Sequence, residues 1–424
     1  MTEPGSDVSR AKLRGRIRIL LMLGQVMAGL GMGATLAMGA ILASRLSGSD
    51  AWSGMAATMS TLGAALAAIP LSRLASRFGR RVSLTTGALL AASGGVVTIM
   101  ATSTAWFPLL LVGLALVGVG TAVNLQSRFA ATDLSEKETR GRDLSLVVWA
   151  TTVGAVSGPN LITPGEAIGS WIGLPELAGP FVFTVMAQTL AATIYFVGLR
   201  PDPLKVAMAR AAEAKAAGAG AAAEGEDNPR QIRLAFIAIA LSHATMVSVM
   251  AMTPVHLVNH GASLAIVGFT ISLHIAGMYA LAPIFGILAD RLGRIPTIVI
   301  GQIILAASLA MTGFGSEQET AVLVGLILLG LGWSAATVAG STLLTESTAL
   351  TRRPIIQGRS DLVMSGTGAL GGASAGMVLS LVGYDGLSFV ALGLVSAVLI
   401  AVGLTATSTR ATKEPVEAPV LYDI

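Results

Sequence analysis

The chain has 424 residues, of which 53% are hydrophobic and only 12% are charged, and its net charge at neutral pH is +4. Soluble globular proteins carry about 25% charged residues, so this composition excludes a soluble globular protein. The sequence contains no cysteine, which excludes disulfide bonds and thiolate metal ligands. The mild positive charge does not indicate nucleic acid, because basic loops beside membrane spans account for it.

Apolar stretches of about 20 residues, the length that crosses a bilayer as a helix, recur along the whole chain. Residues 1–17 contain several basic side chains and no apolar core, so they predict a cytoplasmic tail and not a signal peptide. Residues 408–424 form a second predicted tail. Between the tails we predict twelve spans, at 18–44, 52–74, 82–103, 106–129, 143–166, 177–199, 233–259, 263–287, 295–314, 320–344, 360–383 and 386–407.

The positions of the basic residues orient these spans. If both termini are cytoplasmic, Arg45 alone among the 27 Lys and Arg residues lies outside. One missed helix would scramble this segregation. The positive-inside rule therefore predicts that both termini are cytoplasmic.

The two halves of the chain repeat each other. Residues 200–232, rich in Ala and charge and interrupted by Gly and Pro, predict a flexible linker that is helical in places. It joins predicted bundles at 18–199 and 233–407. The sequence LVGLALVGVG at 111–120 recurs as LVGLILLGLG at 323–332, and RFGRR at 77–81 recurs as RLGRI at 291–295. We predict an all-α membrane protein of two pseudo-symmetric six-helix bundles, a common plan for secondary transporters.

The loop between the eighth and ninth spans reads GILADRLGRI at 286–295. It matches the G-x-L-a-D-r-x-G-r motif of the Major Facilitator Superfamily, which the chain resembles over nearly its whole length. The resemblance implies transport by alternating access, no enzymatic activity and no cofactor. The predicted gating residues lie in both hairpins and at the starts of spans five and eleven: Arg77, Gly79, Arg80, Arg81, Asp143, Gly286, Asp290, Arg291, Gly293, Arg294 and Asp361.

The N-terminal hairpin departs from the motif, because Ser72 and Ser76 stand where Gly and Asp are expected. We therefore expect Asp361 to pair with the basic residues of this hairpin. We expect Asp143 to pair with Arg291 or Arg294. The alternative is that these charges lie among lipid headgroups, where ion pairs contribute little.

Span five contains the sequence GAVSGP, with Gly154, Gly158 and Pro159. It resembles the G-x-x-x-G-P motif of the drug/proton antiporters in the same superfamily. The glycines permit close packing and Pro159 bends the helix, as any rocking transporter requires.

Carboxylates are scarce in the middle of the predicted spans, so histidines and one arginine are the main ionisable candidates. The residues expected to line an inner cavity are Asn124, Gln126 and Arg128. An anchoring role for Arg128 at the headgroups is equally open.

Methionine and histidine pairs mark spans seven and eight. Met246 and Met250 are one turn apart, as are His274 and Met278. At a rise of about 1.5 Å per residue, the two pairs lie at matching depths on either side of the turn near Gly261. Three thioethers and one imidazole would suit Cu(I). Methionine also fills cores, so ordinary packing is the competing interpretation.

The remaining members of this region extend the predicted path. Met252, His256 and His260 follow at helical steps toward the outer face and form a predicted entry relay. His243 lies deeper, where we expect an exit or proton-handling residue.

The same pairs look like the Met-x-x-x-Met and His-x-x-x-Met motifs of the bacterial CcoA-type copper importers of this superfamily. That resemblance implies metal binding by Met246, Met250, His274 and Met278, with copper as the substrate. It also implies a bacterial cytoplasmic membrane. The missing cysteines rule out a thiol-assisted step in this chain.

Three hypotheses follow from the sequence. The first is copper uptake through the Met/His site. The second is proton-coupled efflux of hydrophobic drugs or other small organic molecules, with His243 or His274 titrating. The third is a membrane sensor, against which the intact hairpins and the lack of a signalling domain argue. We expect a monomer in the lipid bilayer that binds a small solute or metal ion and no nucleic acid.

Overall fold

The computed structural model describes residues 4–49, 52, 55–158, 161–217 and 226–411, and the regular elements within them are helices and turns. The helices are α1 (Pro4–Ser47), α2 (Met55–Phe78), α3 (Arg80–Ser103), α4 (Phe107–Ala130), α5 (Arg140–Ser157), α6 (Ile162–Trp171), α7 (Pro180–Thr193), α8 (Pro203–Ala216), α9 (Pro229–Asn259), α10 (Leu264–Tyr279), α11 (Ala282–Leu292), α12 (Arg294–Phe314), α13 (Glu319–Glu346) and α14 (Arg353–Ala411). A π turn, Ile194–Gly198, extends α7.

The helices match the predicted spans. Nine segments of the described residues are long and apolar enough to cross a membrane. One of them, Arg353–Thr405, covers the last two predicted spans, which Gly383 separates with a φ of 75°. The first predicted span lies in α1, and α5 with α6 covers the fifth. The prediction of an all-α membrane protein is confirmed.

Two equivalent glycines make the sharp turns of the hairpins. Gly79 between α2 and α3 has a φ of 97°, and Gly293 between α11 and α12 has a φ of 102°. A side chain is strained at such positive φ values. The repeated sequences RFGRR and RLGRI therefore fold into the same turn, and we call the end of the molecule that carries both turns the hairpin end.

The helices pack within each bundle and also between the two bundles. In the first bundle α3 packs on α4, and α1 packs on α5 and α7; in the second, α9 packs on α14 and α12 on α13. The two bundles meet where α2 packs on α14 and α5 on α11. The hydrogen bonds and ion pairs that join the two bundles at the hairpin end include Arg80–Gln357, Gly141–Asp290 and Arg140–Glu346.

The predicted eighth span is broken. Helix α10 ends at Tyr279 and α11 begins at Ala282. Pro283 lies in the first turn of α11, where a helix tolerates the missing N–H. In the interior of a continuous helix the same proline would remove a hydrogen bond and clash with the preceding turn. The break lies inside one segment, Ala265–Leu292, that is long and apolar enough to cross a membrane, and this segment matches the predicted span at 263–287.

The first part of the predicted linker is an ordered helix. Its predicted helical part is α8, in which Leu204 and Ala211 form a buried cluster with Leu350 of the α13–α14 loop. The helix at Pro203–Ala216 agrees with a linker that is helical in places, and its packing shows that this part of the linker is held against the second bundle. Most of the predicted C-terminal tail lies outside the described residues.

Candidate functional site

Helix α11 reaches across to the start of α5 at the hairpin end. The Asp290 carboxylate accepts hydrogen bonds from the backbone N–H groups of Gly141, at 2.9 Å, and Arg142, at 2.8 Å. These are unpaired donors of a helix N-terminus, where a negative charge is stabilised. A β-carbon at Gly286 would lie 2.1 Å from Ser145 Oγ. The crossing therefore requires glycine at this position.

Arg294 extends this contact. It donates to Glu346 at 2.7 and 3.1 Å and to the backbone oxygen of Lys137 at 2.8 Å. It also lies 3.1 Å from Asp290. One guanidinium thus joins α11, α13 and the loop before α5, while Arg291 beside it is exposed.

The contact between the first hairpin and α14 corresponds to the contact between α11 and α5, but it is made by different groups. Arg80 is buried and makes two bonds to Asp133, at 2.8 and 3.2 Å, and one to Gln357 of α14 at 2.7 Å. Burial raises the pKa of the Asp133 carboxyl, and the Arg80 charge opposes that rise. Ser76 cannot act as Asp290 does, because its hydroxyl donates to the Arg73 carbonyl.

Asp202 of the linker supplies a carboxylate to this hairpin. It accepts from the backbone N–H of Arg81 at 2.7 Å, and from those of Leu204 and Lys205 at 3.0 and 3.2 Å. One side chain therefore caps α3 and α8 together. An Asp followed by Pro203 at the first helical position is a recognisable start signal, so this cap could have been found from the sequence.

Both predicted cross-bundle carboxylate pairs are wrong. Asp143 binds Arg18 and the Ser135 hydroxyl, each at 2.6 Å, within the first bundle. Asp361 binds Arg128 and not the basic hairpin. The spacing of residues along a chain does not determine helix rotation, and rotation decides which partner a short carboxylate reaches.

A second cluster lies between the bundles, further from the hairpin turns. We call Arg128, His243, Tyr279, Trp333 and Asp361 the central cluster. Arg128 of α4 donates to Asp361 of α14 at 2.7 Å, and the two residues are 2% and 1% exposed. The second carboxylate oxygen of Asp361 is buried without a hydrogen-bond partner in the described structure. Burying an ion pair costs substantial desolvation free energy. Loss of one partner leaves the other charge buried without compensation, which is strongly destabilising.

Aromatic side chains complete the cluster. Trp333 Nε1 donates to His243 Nδ1 at 3.0 Å, which places the proton of a neutral His243 on Nε2. Tyr279 meets Trp333 edge to face, with ring centroids 5.8 Å apart. The residues come from five helices of both bundles, so the cluster is a convergence point of the fold. The sequence did not single out Trp333 and Tyr279, because one aromatic residue in an apolar run resembles core packing.

The predicted Met/His site is brought together only in part. Met246 and Met278 belong to one buried cluster, and Met250 packs against it. His274 is fully buried and its Nδ1 donates to the Leu326 carbonyl of α13 at 2.8 Å. Its Nε2 has no hydrogen-bond partner in the described structure. Metal binding by these four residues remains a prediction.

The outer histidines make structural bonds. His256 Nε2 donates to the Ser316 carbonyl at 2.7 Å, and its ring stacks on Tyr384 at a centroid distance of 4.2 Å. His260 Nδ1 donates to the His256 carbonyl at 2.8 Å. Met252 lies on the same helix and packs against the core cluster of the second bundle. Their predicted role as an entry relay stays a prediction.

The three residues expected to line an inner cavity do not lie on the same face of α4. Asn124 and Arg128 share a face of α4 one turn apart, and Gln25 Nε2 donates to the Asn124 carbonyl at 3.2 Å. Gln126 points the other way: it accepts from Ser83 at 3.1 Å and donates to the Ala68 carbonyl at 3.4 Å, inside the first bundle. The expectation that Gln126 lines an inner cavity is wrong.

The bending motif is described in part. A β-carbon at Gly154 would lie 2.5 Å from the Val26 carbonyl oxygen of α1, so this glycine permits a close crossing. Gly158 follows the last residue of α5. Pro159 lies outside the described residues.

Comparisons with known proteins agree with the fold. A sequence profile of the Major Facilitator Superfamily matches residues 21–232 and 234–420. The chain is 36% identical over 398 residues to the uncharacterised MFS-type transporter YdeG of Bacillus subtilis, covering 93% of this chain and 91% of that one. It is 26% identical over 384 residues to the riboflavin transporter RfnT of Brucella anthropi, covering 90% and 94%.

A solved structure gives the same result. The crystal structure of the human organic anion transporter MFSD10 superposes with a TM-score of 0.73 at 14% identity, covering 92% of this chain and 99% of that one. The superfamily match does not specify a substrate, and the likeness to copper importers stays a prediction. The protein is a multi-pass membrane transporter and not an enzyme, and the chain belongs to the Major Facilitator Superfamily.

Proposed function

We propose that the protein is a secondary transporter for a small organic solute with a flat aromatic part. The observation that carries the proposal is the central cluster, in which aromatic residues of the second bundle lie near a buried charge pair that joins the two bundles. Carriers of this architecture hold substrate near the midplane between their halves. Ligand sites typically combine apolar and aromatic walls with a few placed polar groups.

The aromatic part of the cluster favours a flat ligand. Trp333 and Tyr279 stand edge to face, and Trp333 is only 4% exposed, so we propose that a flat ligand stacks on these rings when the bundles separate. The Trp333 bond orients His243 so that its Nε2–H is available to donate. A solute with a ring and a carbonyl or ring-nitrogen acceptor would use both features.

Riboflavin is the first ligand to test. It carries a flat three-ring system with carbonyl acceptors, and a relative that is 26% identical over 90% of this chain is named a riboflavin transporter. We propose flavins as the substrate class on these two grounds.

The Arg128–Asp361 pair is the proposed proton-coupling element. It joins α4 to α14 across the bundles, so protonation of Asp361 would weaken a contact that must separate when the hairpin end opens. Ionisable residues buried in membrane proteins are functional candidates. We propose that the hairpin contacts of Asp290, Arg294 and Arg80 close the same end.

A binding measurement tests the proposal. We expect purified protein to quench riboflavin fluorescence, and Trp333→Ala to weaken binding about tenfold through the lost ring contact. The matched control is Trp106→Ala, because Trp106 is 57% exposed at the start of α4. Absence of flavin binding by the wild-type protein, or equal affinities in the two variants, would contradict the proposal.

Copper uptake is the second candidate function, and His274 favours it. Its Nδ1 donates to Leu326, which leaves the Nε2 lone pair buried and without a partner in the described structure. A hydrogen bond of this kind to one ring nitrogen is how metal-ligating histidines are oriented. The thioethers of Met246 and Met278 lie in one neighbouring buried cluster.

Cellular metal content tests the copper hypothesis. We expect cells that express the protein to accumulate copper, and Met246→Ala and His274→Ala to abolish the gain. Met59→Ala on α2 is the control, since it removes a thioether from the first bundle. Copper accumulation by both site variants equal to that of the wild type would contradict uptake through this site and leave the flavin proposal standing.

The orientation in the membrane and the oligomeric state complete the proposal. We propose that the hairpin end faces the cytoplasm of a bacterial cell, as the segregation of basic residues predicts, and that the protein acts as a monomer. Proton-coupled drug efflux is the alternative use of the Arg128–Asp361 pair. It predicts drug resistance on expression that is lost when the proton gradient collapses.

A further inference from the structure

We propose that the first bundle binds the phosphate of an anionic phospholipid between Arg81 and Arg200, beside Phe196. The site lies at the hairpin end, on the outer surface of the bundle, and is separate from the central cluster. It does not depend on the identity of the transported solute.

Both guanidinium groups lie on one aromatic ring. The central guanidinium carbons of Arg81 and Arg200 are 5.1 and 5.2 Å from the centroid of the Phe196 ring. Contacts of this kind hold an arginine against the ring. Arg200 also donates from Nε to the Phe196 carbonyl at 3.4 Å, so its two terminal nitrogens are the ones we assign to the ligand. The ring is 47% exposed and Val197 beside it is 61% exposed. Because both follow the membrane-spanning helix α7, this apolar surface is placed to meet lipid.

The charge of the pair is not neutralised by protein. In the part of the chain that the structure describes, no carboxylate lies within 4.0 Å of either guanidinium group. The nearby Asp202 carboxylate is occupied by three backbone N–H groups. Two like charges gathered on one ring repel each other, so an anion that bridges them would remove that repulsion.

A neighbouring arginine repeats the arrangement. Arg77 lies over the ring of Phe78 at 5.2 Å, and Phe78 is 43% exposed. Arginine beside an exposed aromatic ring at the end of a span suits the membrane interface, where aromatic and basic residues concentrate. Basic pockets between membrane helices on the cytoplasmic side recognise lipid headgroups, and the guanidinium fork matches phosphate oxygens.

The second bundle provides an internal comparison. Its hairpin, RLGRI, has Leu292 where the first has Phe78, and Ile295 where the first has Arg81. The aromatic and the additional charge are therefore absent from the copy whose fold is otherwise equivalent. Arg291 is the matching exposed arginine of that copy.

The apolar surface decides between a lipid and a free anion. A site for inorganic phosphate would need only the two guanidinium groups, whereas Phe196 and Val197 add an exposed apolar wall next to them. Acyl chains cover such a wall with a favourable transfer from water. The ligand of this site is therefore a phospholipid.

Lipid titration tests the proposal on the full-length protein in detergent. Dioctanoyl phosphatidylglycerol, dioctanoyl phosphatidylcholine and inorganic phosphate would each be added, and bound lipid counted by native mass spectrometry alongside the thermal midpoint. We expect phosphatidylglycerol to bind in preference and to raise the midpoint. Each headgroup-facing charge contributes about fivefold in affinity, so the double variant Arg81→Gln with Arg200→Gln should bind about 25-fold more weakly.

Two variants keep the result interpretable. Arg291→Gln should bind phosphatidylglycerol as the wild type does, and Phe196→Leu should weaken binding while retaining both charges. The double variant must unfold at the wild-type midpoint without lipid, because the Arg81 backbone bond to Asp202 is preserved. Equal binding of the two lipids, equal stabilisation by inorganic phosphate, or wild-type binding by the double variant would overturn the proposal.

Discussion

The crossing of α5 and α11 makes Gly286→Ala a direct test of closure at the hairpin end. The added methyl group would lie 2.1 Å from Ser145 Oγ and 2.6 Å from the Gly141 carbonyl oxygen, both in the opposite bundle. The Ser145 hydroxyl can rotate away, but the backbone of Gly141 cannot move without shifting α5. Overpacking of this kind costs about 1–3 kcal/mol.

This cost falls on the closed arrangement alone. When the bundles separate, the methyl group faces open space, so the ratio of open to closed molecules should rise by about 5- to 150-fold. Gly366→Ala on α14 is the matched control, since nothing lies within 4 Å of its added methyl group.

The absence of native cysteine allows the measurement with spin labels on cysteines introduced at Arg73 and Arg291. Both are exposed, one in each bundle at the hairpin end. We expect electron–electron distances to shift toward a longer population in Gly286→Ala and to stay unchanged in Gly366→Ala. Identical distance distributions in the two variants would refute the conclusion that this crossing closes the hairpin end.

Further predictions concern the linker and the topology. Asp202→Ala should lower the free energy of unfolding by about 1–3 kcal/mol, because it uncaps two helices, and the thermal midpoint should fall relative to Glu213→Gln on the exposed face of α8; equal midpoints would contradict the shared cap. Single cysteines at Arg45 and Arg77 should react with a membrane-impermeant maleimide from opposite sides, Arg45 from outside intact cells. Labelling of both from one side would contradict the predicted orientation.

The fold follows from features that a single sequence displays directly. Hydropathy locates the spans, the segregation of Lys and Arg predicts their orientation, and the repeated hairpins predict two related halves. The equivalent positive φ values of Gly79 and Gly293 agree with the repeat of RFGRR as RLGRI. These features are local, and each depends on short stretches of chain.

The site was only partly predictable, because it depends on the rotation and packing of helices. Arg128 and Asp361 were both identified as candidates, but not as each other's partner. Gln126 was placed in the cavity although it is two residues from Arg128, which puts it on the opposite face of a helix. This error could have been avoided from helix geometry alone.

Other parts of the site had no local signal. Nothing in the sequence distinguishes Trp333 from the apolar residues around it, and its bond to His243 joins residues 90 positions apart. The bond from Arg80 to Gln357 joins residues 277 positions apart and had no signal in the sequence either. By contrast, the Asp202–Pro203 start of α8 and Pro283 at the start of α11 were both readable.

Solute movement driven by a pH gradient tests the central claim most directly. In proteoliposomes that start with equal riboflavin on both sides, the wild-type protein should move riboflavin against its concentration when a pH gradient is imposed. Asp361→Asn should leave the two concentrations equal, whereas Asp385→Asn, at an exposed position of the same helix, should behave as wild type. Concentrations that stay equal with the wild type, or gradient-driven accumulation by Asp361→Asn, would contradict the coupling of flavin transport to the Arg128–Asp361 pair.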